Sequence, residues 1–304
     1  MSWIEGVKLK NSKFNVGLLQ LQIGEDLEAN VRTAVEAVKE AATKGAQVIC
    51  LPEIYRSQYF CQKEDIDLFD LAETIPGVST EVFSKLAAET GTYLVVPVFE
   101  KRSSGVYHNS LVFINDDGEM QGIYRKMHIP DDPAYYEKFY FAPGDLGFKA
   151  FETRYGKIGT LICWDQWYPE GARITSMLGA SILFYPTAIG WHPYEIEEHG
   201  KQQRDAWMTV QRGHAIANGI YVAAVNRVGF EQPVPEQAGI RFWGSSFLAD
   251  PQGVIIAEAP ADKEAVLVAE IDLERIEYIR RNWPFFRDRR IDAYGDITKR
   301  FLEN

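Results

Sequence analysis

Hydrophobic positions along the chain switch between two periods. Residues 14–23 form an extended, largely apolar run, which predicts a strand. Asp26 then precedes Leu27, Val31, Ala34, Val35 and Val38 at helical spacing, and Gly45 supplies a stop. That pattern predicts a helix capped by Asp26 and running to about Lys44. A short apolar run at 48–51 reads as the next strand. Ser79 or Thr80 is expected to cap a second helix through Phe83, Leu86 and Ala87, followed by a strand at 93–99. Residues 120–125 alternate as an extended segment. Residues 157–163 read as a buried strand that stops at Cys163 and opens into Trp164 and Asp165. A last helix is expected over 273–281.

The plan repeats. Residues 45–52 match 179–186 in pattern, 91–95 match 219–223, and 110–113 match 245–248, at nearly constant offset. The halves then read as two copies of one strand–helix–strand–helix–strand–hairpin unit. Each copy supplies a sheet covered by helices on its outer face. Two such sheets packed together predict an α/β fold: a four-layer α-β-β-α sandwich with a pseudo-two-fold axis.

At 304 residues, with 46% hydrophobic residues, the chain fits one such unit. No Gly/Ser-rich or Pro-rich linker divides it. We read residues 1–281 as one domain and 282–304 as a C-terminal extension. Residues 282–290 hold three aromatics and four charges. This tail either folds back on its own subunit or packs on a neighbouring copy. A net charge of −11 argues against nucleic acid as a partner and mildly favours a cationic ligand. No apolar run is long enough to span a membrane, and residues 1–8 hold no apolar signal core. Three cysteines (Cys50, Cys61 and Cys163) suit a reducing cytoplasm better than a disulfide framework. The five histidines form no His-Glu-x-x-His pattern, and neither a paired Cys-x-x-Cys, a phosphate loop nor a Gly-x-Ser-x-Gly elbow is present. No metal or organic cofactor is expected.

Three segment ends carry chemistry. Glu53 follows the run at 48–51, Lys126 follows the run at 120–125, and Cys163 ends the run from 157. In α/β proteins the carboxyl ends of strands are where ligands bind. A cysteine nucleophile needs a base for its proton and a donor for the developing oxyanion. Glu53 suits the base, Lys126 and the backbone N–H of Trp164 suit the oxyanion, and Cys163 suits the nucleophile. Lys126 should also raise the thiolate population by its charge. The plainer readings are a packed Cys163, a surface Glu53 after a turn proline and a solvated Lys126. His128 offers an alternative partner for the thiol, although nothing in the sequence orients it.

Leu51-Pro52-Glu53, residues 124–128 (Tyr-Arg-Lys-Met-His) and Ile162-Cys163-Trp164-Asp165 resemble the three catalytic segments of the nitrilase superfamily, in the right order. The resemblance covers roughly residues 14–290. It implies the four-layer sandwich, a Glu53–Lys126–Cys163 triad, a supporting Glu137, a thioester intermediate and subunits that self-associate.

Further segments, including 128–133, 137–141, 163–167, 184–190 and 286–290, are similar to one branch, the N-carbamoylputrescine amidohydrolases. Such an enzyme needs an apolar wall for four methylenes, for which Tyr55, Trp164 and Trp167 are candidates. It also needs an acid for the far ammonium: Asp132 first, with Glu195 and Glu198 behind it. The alternatives are an N-carbamoyl-amino-acid or β-ureidopropionate hydrolase with Arg173 or Arg204 in the slot, another aliphatic amidase or nitrilase, or an inactive scaffold. Cys163→Ala is expected to lower turnover at least ~10³-fold while the protein stays folded. Retained turnover would remove Cys163 as the nucleophile.

Overall fold

The computed structural model describes residues 12–302 apart from 234 and 236, together with Trp3, Ile4, Val7 and Lys8. Much of the N-terminal stretch read for a signal core, and the last two residues of the extension, lie outside the described residues. The first half runs β1 (Trp3–Ile4), β2 (Val7–Lys8), β3 (Lys13–Gln20), α1 (Leu27–Thr43), β4 (Val48–Cys50), α2 (Val78–Thr90), β5 (Tyr93–Ser103), β6 (Val106–Ile114) and β7 (Met120–Arg125). One helical turn, α3 (Glu137–Tyr140), leads to β8 (Lys149–Thr153) and β9 (Gly156–Thr160). A 3₁₀ turn (Cys163–Trp167) precedes α4 (Pro169–Met177), β10 (Ala180–Thr187), β11 (Gly190–Trp191), α5 (Ile196–Asn218) and β12 (Tyr221–Asn226). The chain closes with β13 (Val228–Glu231), β14 (Ile240–Trp243), β15 (Phe247–Ala249), β16 (Ile255–Glu258), β17 (Ala265–Asp272) and α6 (Leu273–Asn282).

Two six-stranded sheets carry the architecture, ordered β17-β3-β4-β5-β6-β7 and β8-β9-β10-β12-β15-β16. Each has three parallel strands flanked by antiparallel ones: β17 against β3 and β8 against β9, then β6–β7 and β15–β16. The three sequence matches between the halves fall on equivalent strands: β4 with β10, β5 with β12 and β6 with β15.

Side chains in the first sheet alternate between two buried faces, as its near-continuous apolar runs require. Val16, Leu18, Val48, Val95 and Phe113 share a core with Phe151, Ile158, Ile182 and Phe184 of the second sheet. The Phe113 and Phe151 rings stack with centroids 4.8 Å apart. Leu19, Ile49, Leu94, Val96 and Val112 face the other way, onto Val31, Ala34 and Val38 of α1 and Phe83 and Leu86 of α2. With α4 and α5 on the second sheet, the layers are α-β-β-α.

Asp26 caps α1 as the sequence predicts, accepting from the N–H groups of Glu28 and Ala29 at 2.9 Å each. The second helix departs from expectation. It starts at Val78 after Gly77, and Ser79 and Thr80 lie inside its first turn. The buried Glu73 carboxylate supplies an acceptor from outside the helix, taking the Ser79 N–H at 2.6 Å and the Ser79 hydroxyl at 2.5 Å. The strand before Cys163 also stops early, at Thr160, so the thiol rides on the 3₁₀ turn.

Strand direction places the candidate groups. β7 is antiparallel to β6, and β6 to β5, so β7 runs the same way as β4. Glu53 and Lys126 therefore leave the same end of one sheet, and Cys163 follows the carboxyl end of β9 in the other.

Gly159 in β9 is where backbone and packing meet most closely on the way to Cys163. A methyl group there would lie 2.5 Å from Leu183 Cδ2 and 2.6 Å from Thr175 Cγ2. Gly159→Ala is expected to cost about 1–3 kcal/mol by overpacking, measured as a lower denaturant midpoint at unchanged slope. An unchanged midpoint would show that α4 and β10 yield freely.

Candidate active site

Lys126 is fully buried between two fully buried carboxylates. Its Nζ donates to Glu53 Oε1 at 2.9 Å and to Glu137 Oε2 at 2.6 Å. An ammonium has three donors, so one remains for an incoming oxygen. Asn109 Nδ2 donates to Glu53 Oε1 at 2.7 Å and lies 3.4 Å from Glu137 Oε2. The Tyr59 hydroxyl donates to Glu137 Oε1 at 2.7 Å. Glu53 Oε2 is buried and without a hydrogen-bond partner, and so can take a proton. Burial alone would lower the Lys126 pKa, but coupling to the acidic groups Cys163, Glu137 and Glu53 reverses this and holds it well above the usual lysine value. Glu137 moves up instead, because burial and the nearby Glu53 outweigh the pull of Lys126.

Cys163 is buried and has a φ of +42°, an uncommon conformation for a side-chain-bearing residue. Asp165 holds its turn. The buried Asp165 carboxylate accepts from the N–H of Ile162 at 2.9 Å, the Tyr124 hydroxyl at 2.7 Å and the N–H of His128 at 3.0 Å. It thereby ties the Cys163 turn to the end of β7, beside Lys126. Trp164 lies in the first turn of the 3₁₀ segment, where backbone donors lack intrahelical partners. Burial, then the charge of Glu53, pushes the Cys163 thiol up, and the opposing pull of Lys126 does not overcome them. Lys126 acts on the thiol in the expected direction, but its pull is smaller than the effect of burial and of Glu53.

Cys163 opens onto a cavity of about 450 Å³, whose lining includes Trp164, Trp167, Tyr135 and Trp243, with Asp132 and Glu195 as its carboxylates. Cys163 lies at the buried part of this lining and Asp132 at an exposed part. Thiol, proton acceptor, free ammonium donor and apolar walls are the components of acyl transfer from a C–N bond.

Residues 15–281 match the carbon–nitrogen hydrolase family profile. The chain belongs to the carbon–nitrogen hydrolase family. It is 47% identical to an N-carbamoylputrescine amidase of Arabidopsis thaliana over 282 residues, 92% of this chain and 93% of that one. A crystal structure of a carbon–nitrogen hydrolase from Helicobacter pylori G27 is 47% identical and superposes with a TM-score of 0.92, covering 95% of this chain and all of that one. Saccharomyces cerevisiae Nit3, a member of branch 10 of the nitrilase superfamily, is 26% identical with a TM-score of 0.76, covering 93% and 99%.

In this carbon–nitrogen hydrolase the structure gathers Glu53, Lys126 and Glu137 into one network, and brings Trp164, Trp167, Asp132 and Glu195 to the cavity that Cys163 faces. It does not bring Tyr55 there. The Tyr55 hydroxyl pairs with Ser79 Oγ at 2.6 Å and its ring meets Phe83 edge-on, in the layer between the first sheet and its helices. Glu198 is 81% exposed on α5 beside His199, outside the lining. Arg173 is also turned away: its Nη2 donates to Ala217 O and its guanidinium covers Phe286 of the tail. Arg204 faces Ser245 Oγ at 3.5 Å and does not line the cavity. His128 has its Nδ1 2.7 Å from Asp165 Oδ1 and its ring stacked on Tyr168, so a carboxylate orients it and is its partner in place of the thiol.

Sequence reading of this hydrolase missed Tyr59, Asn109, Asp165, Arg227 and Glu231. A signal existed for Arg227, which with Asn226 forms a polar pair directly after the apolar run from 220 to 225.

Because the thiol is pushed up, the thiolate fraction must grow with pH through neutrality. Iodoacetamide labelling of Cys163, followed on its peptide by mass, is expected to rise about tenfold per pH unit from 7 to 9. A plateau below pH 8 would mean a resting thiolate.

Proposed function

We propose that this hydrolase cleaves N-carbamoylputrescine to putrescine, carbon dioxide and ammonia, a step of polyamine synthesis. Glu53 takes the Cys163 proton through Oε2, and the thiolate attacks the ureido carbon. Lys126 and the Trp164 N–H hold the oxyanion, each such donor worth about 3–4 kcal/mol in the transition state. Ammonia or the amine leaves with the proton returned by Glu53; water, activated by the same carboxylate, hydrolyses the thioester to regenerate the thiol and release a carbamic acid, which loses carbon dioxide to give the remaining nitrogen product. Glu137 holds Lys126 in place. Trp164 and Trp167 supply the wall for the methylenes, and Asp132 or Glu195 receives the distal ammonium.

The observation that carries this reading is the buried Glu53–Lys126–Glu137 set beside a cavity with Cys163 in its buried lining and acids farther out. The similarity to the Arabidopsis thaliana amidase supports the choice of substrate.

We further propose that residues 1–281 act as one domain and that the extension packs on a second copy of the chain. Trp283, Ile297 and Phe301 in the tail, and Met177 on α4, are each more than half exposed. A cytoplasmic location accords with three free, buried cysteines.

Ammonia release from a matched panel tests the substrate. N-carbamoylputrescine is expected to be preferred over N-carbamoyl-β-alanine and a simple aliphatic nitrile by at least ~100-fold in kcat/KM. Asp132→Ala or Glu195→Gln should raise KM for the cationic ureide ~10-fold or more and leave a neutral amide nearly unaffected. Preference for N-carbamoyl-β-alanine, or equal effects on both substrates, would overturn the acidic slot.

A further inference from the structure

One buried ion pair outside the Lys126 network is directed at backbone. Arg227, between β12 and β13, and Glu231, at the end of β13, are 0% and 1% exposed and belong to the second half. Arg227 Nη2 donates to the carbonyl oxygens of Glu53 and Ile54, at 2.7 Å each. Its Nη1 donates to Ser57 O at 3.3 Å and to Glu231 Oε1 and Oε2 at 2.8 and 3.1 Å. Glu231 Oε2 also accepts the Tyr59 N–H at 2.6 Å. Four backbone groups of residues 53–59 are thus held by one pair from the other half of the chain.

That loop is the one whose geometry decides the network. At one end Glu53 meets Lys126 through Oε1. At the other the Tyr59 hydroxyl meets Glu137, the second carboxylate on Lys126. Between them Ile54 has a φ of +49°, a region that β-branched residues avoid. Arg227 clasps the carbonyls on both sides of the Ile54 amide and Cα, where that conformation must be enforced. The Arg227 guanidinium sits 5.3 Å from the Phe242 ring centroid, so its orientation is packed as well as hydrogen-bonded.

We infer that Arg227 and Glu231 are positioning residues for the hydrolysis: from the second half they set the loop that aims Glu53 at the thiol and Tyr59 at Glu137. This rests on the base role proposed for Glu53. Stabilising the fold alone would not require the contacts to fall on the loop that carries the base.

Arg227→Lys keeps the cation but cannot span both carbonyls and Glu231. Glu231→Gln keeps the shape and weakens the hold. The measurements are kcat and KM on N-carbamoylputrescine, the unfolding midpoint, and the pH dependence of iodoacetamide labelling at Cys163. For Arg227→Lys, kcat is expected to fall about 100-fold with KM within about threefold. Labelling at pH 7.5 should rise about tenfold, because the charge of Glu53 is no longer held against the thiol. Glu231→Gln should shift both in the same direction by about tenfold or less. The inference is overturned if a folded Arg227→Lys keeps kcat and the labelling profile, or if activity per folded molecule is unchanged. If Arg227→Lys does not fold, Glu231→Gln decides by the same criteria. If no ureide is turned over, the labelling profile alone decides, so failure of the substrate reading and failure of the clamp are separately visible.

Discussion

A lysine ammonium held out of water between two carboxylates is the constraint on which the rest of this molecule depends. Desolvating three charges costs several kcal/mol per ion, and good geometry must recover it. Here the main contacts are short: Glu53 and Glu137 on Lys126, Asn109 on Glu53, Tyr59 on the outer oxygen of Glu137. Burial is the main cause of the upward shifts of Glu137 and of the Cys163 thiol, and the negative charge of Glu53 adds to both. The same surroundings hold the proton on the Cys163 thiol.

The network needs parts from distant segments, and the two-sheet plan supplies them. Strand ends deliver Glu53 and Lys126 from one sheet and Cys163 from the other. Struts then cross between them. Asp165 joins the cysteine turn to Tyr124 and His128, and Arg227 joins β12 to the loop after β4. Each strut is a buried charge satisfied by several donors or acceptors at once, which gives it a single arrangement.

Much of this was legible in the sequence. The β4 and β9 regions read as strands because both faces are buried, leaving continuous apolar runs. The repeat was visible because Gly45 and Gly179, and Gly91 and Gly219, punctuate equivalent strands with positive φ. Asp26 announced its helix because a cap acts over three residues. What stayed hidden acts over long separations. Arg227 reaches Glu53 across 174 positions, and no local pattern encodes that. Tyr55 was a candidate for the apolar wall, yet its hydroxyl is committed to Ser79 under α2. The second helix was misjudged at its start because its acceptor, Glu73, lies outside the capping positions. Glu198 and Arg173 failed for a simpler reason: proximity in sequence to a site says nothing about the direction a helix presents them.

The internal repeat has a consequence for stoichiometry. When residues 45–52 are laid on 179–186, the next position holds Glu53 in one copy and Thr187 in the other. The equivalent strand ends thus diverged, one keeping an ionisable group and the other a buried hydroxyl. A scaffold built twice over carries its chemistry once. The two copies are no longer interchangeable modules: each supplies different side chains to the cluster that gathers between the sheets.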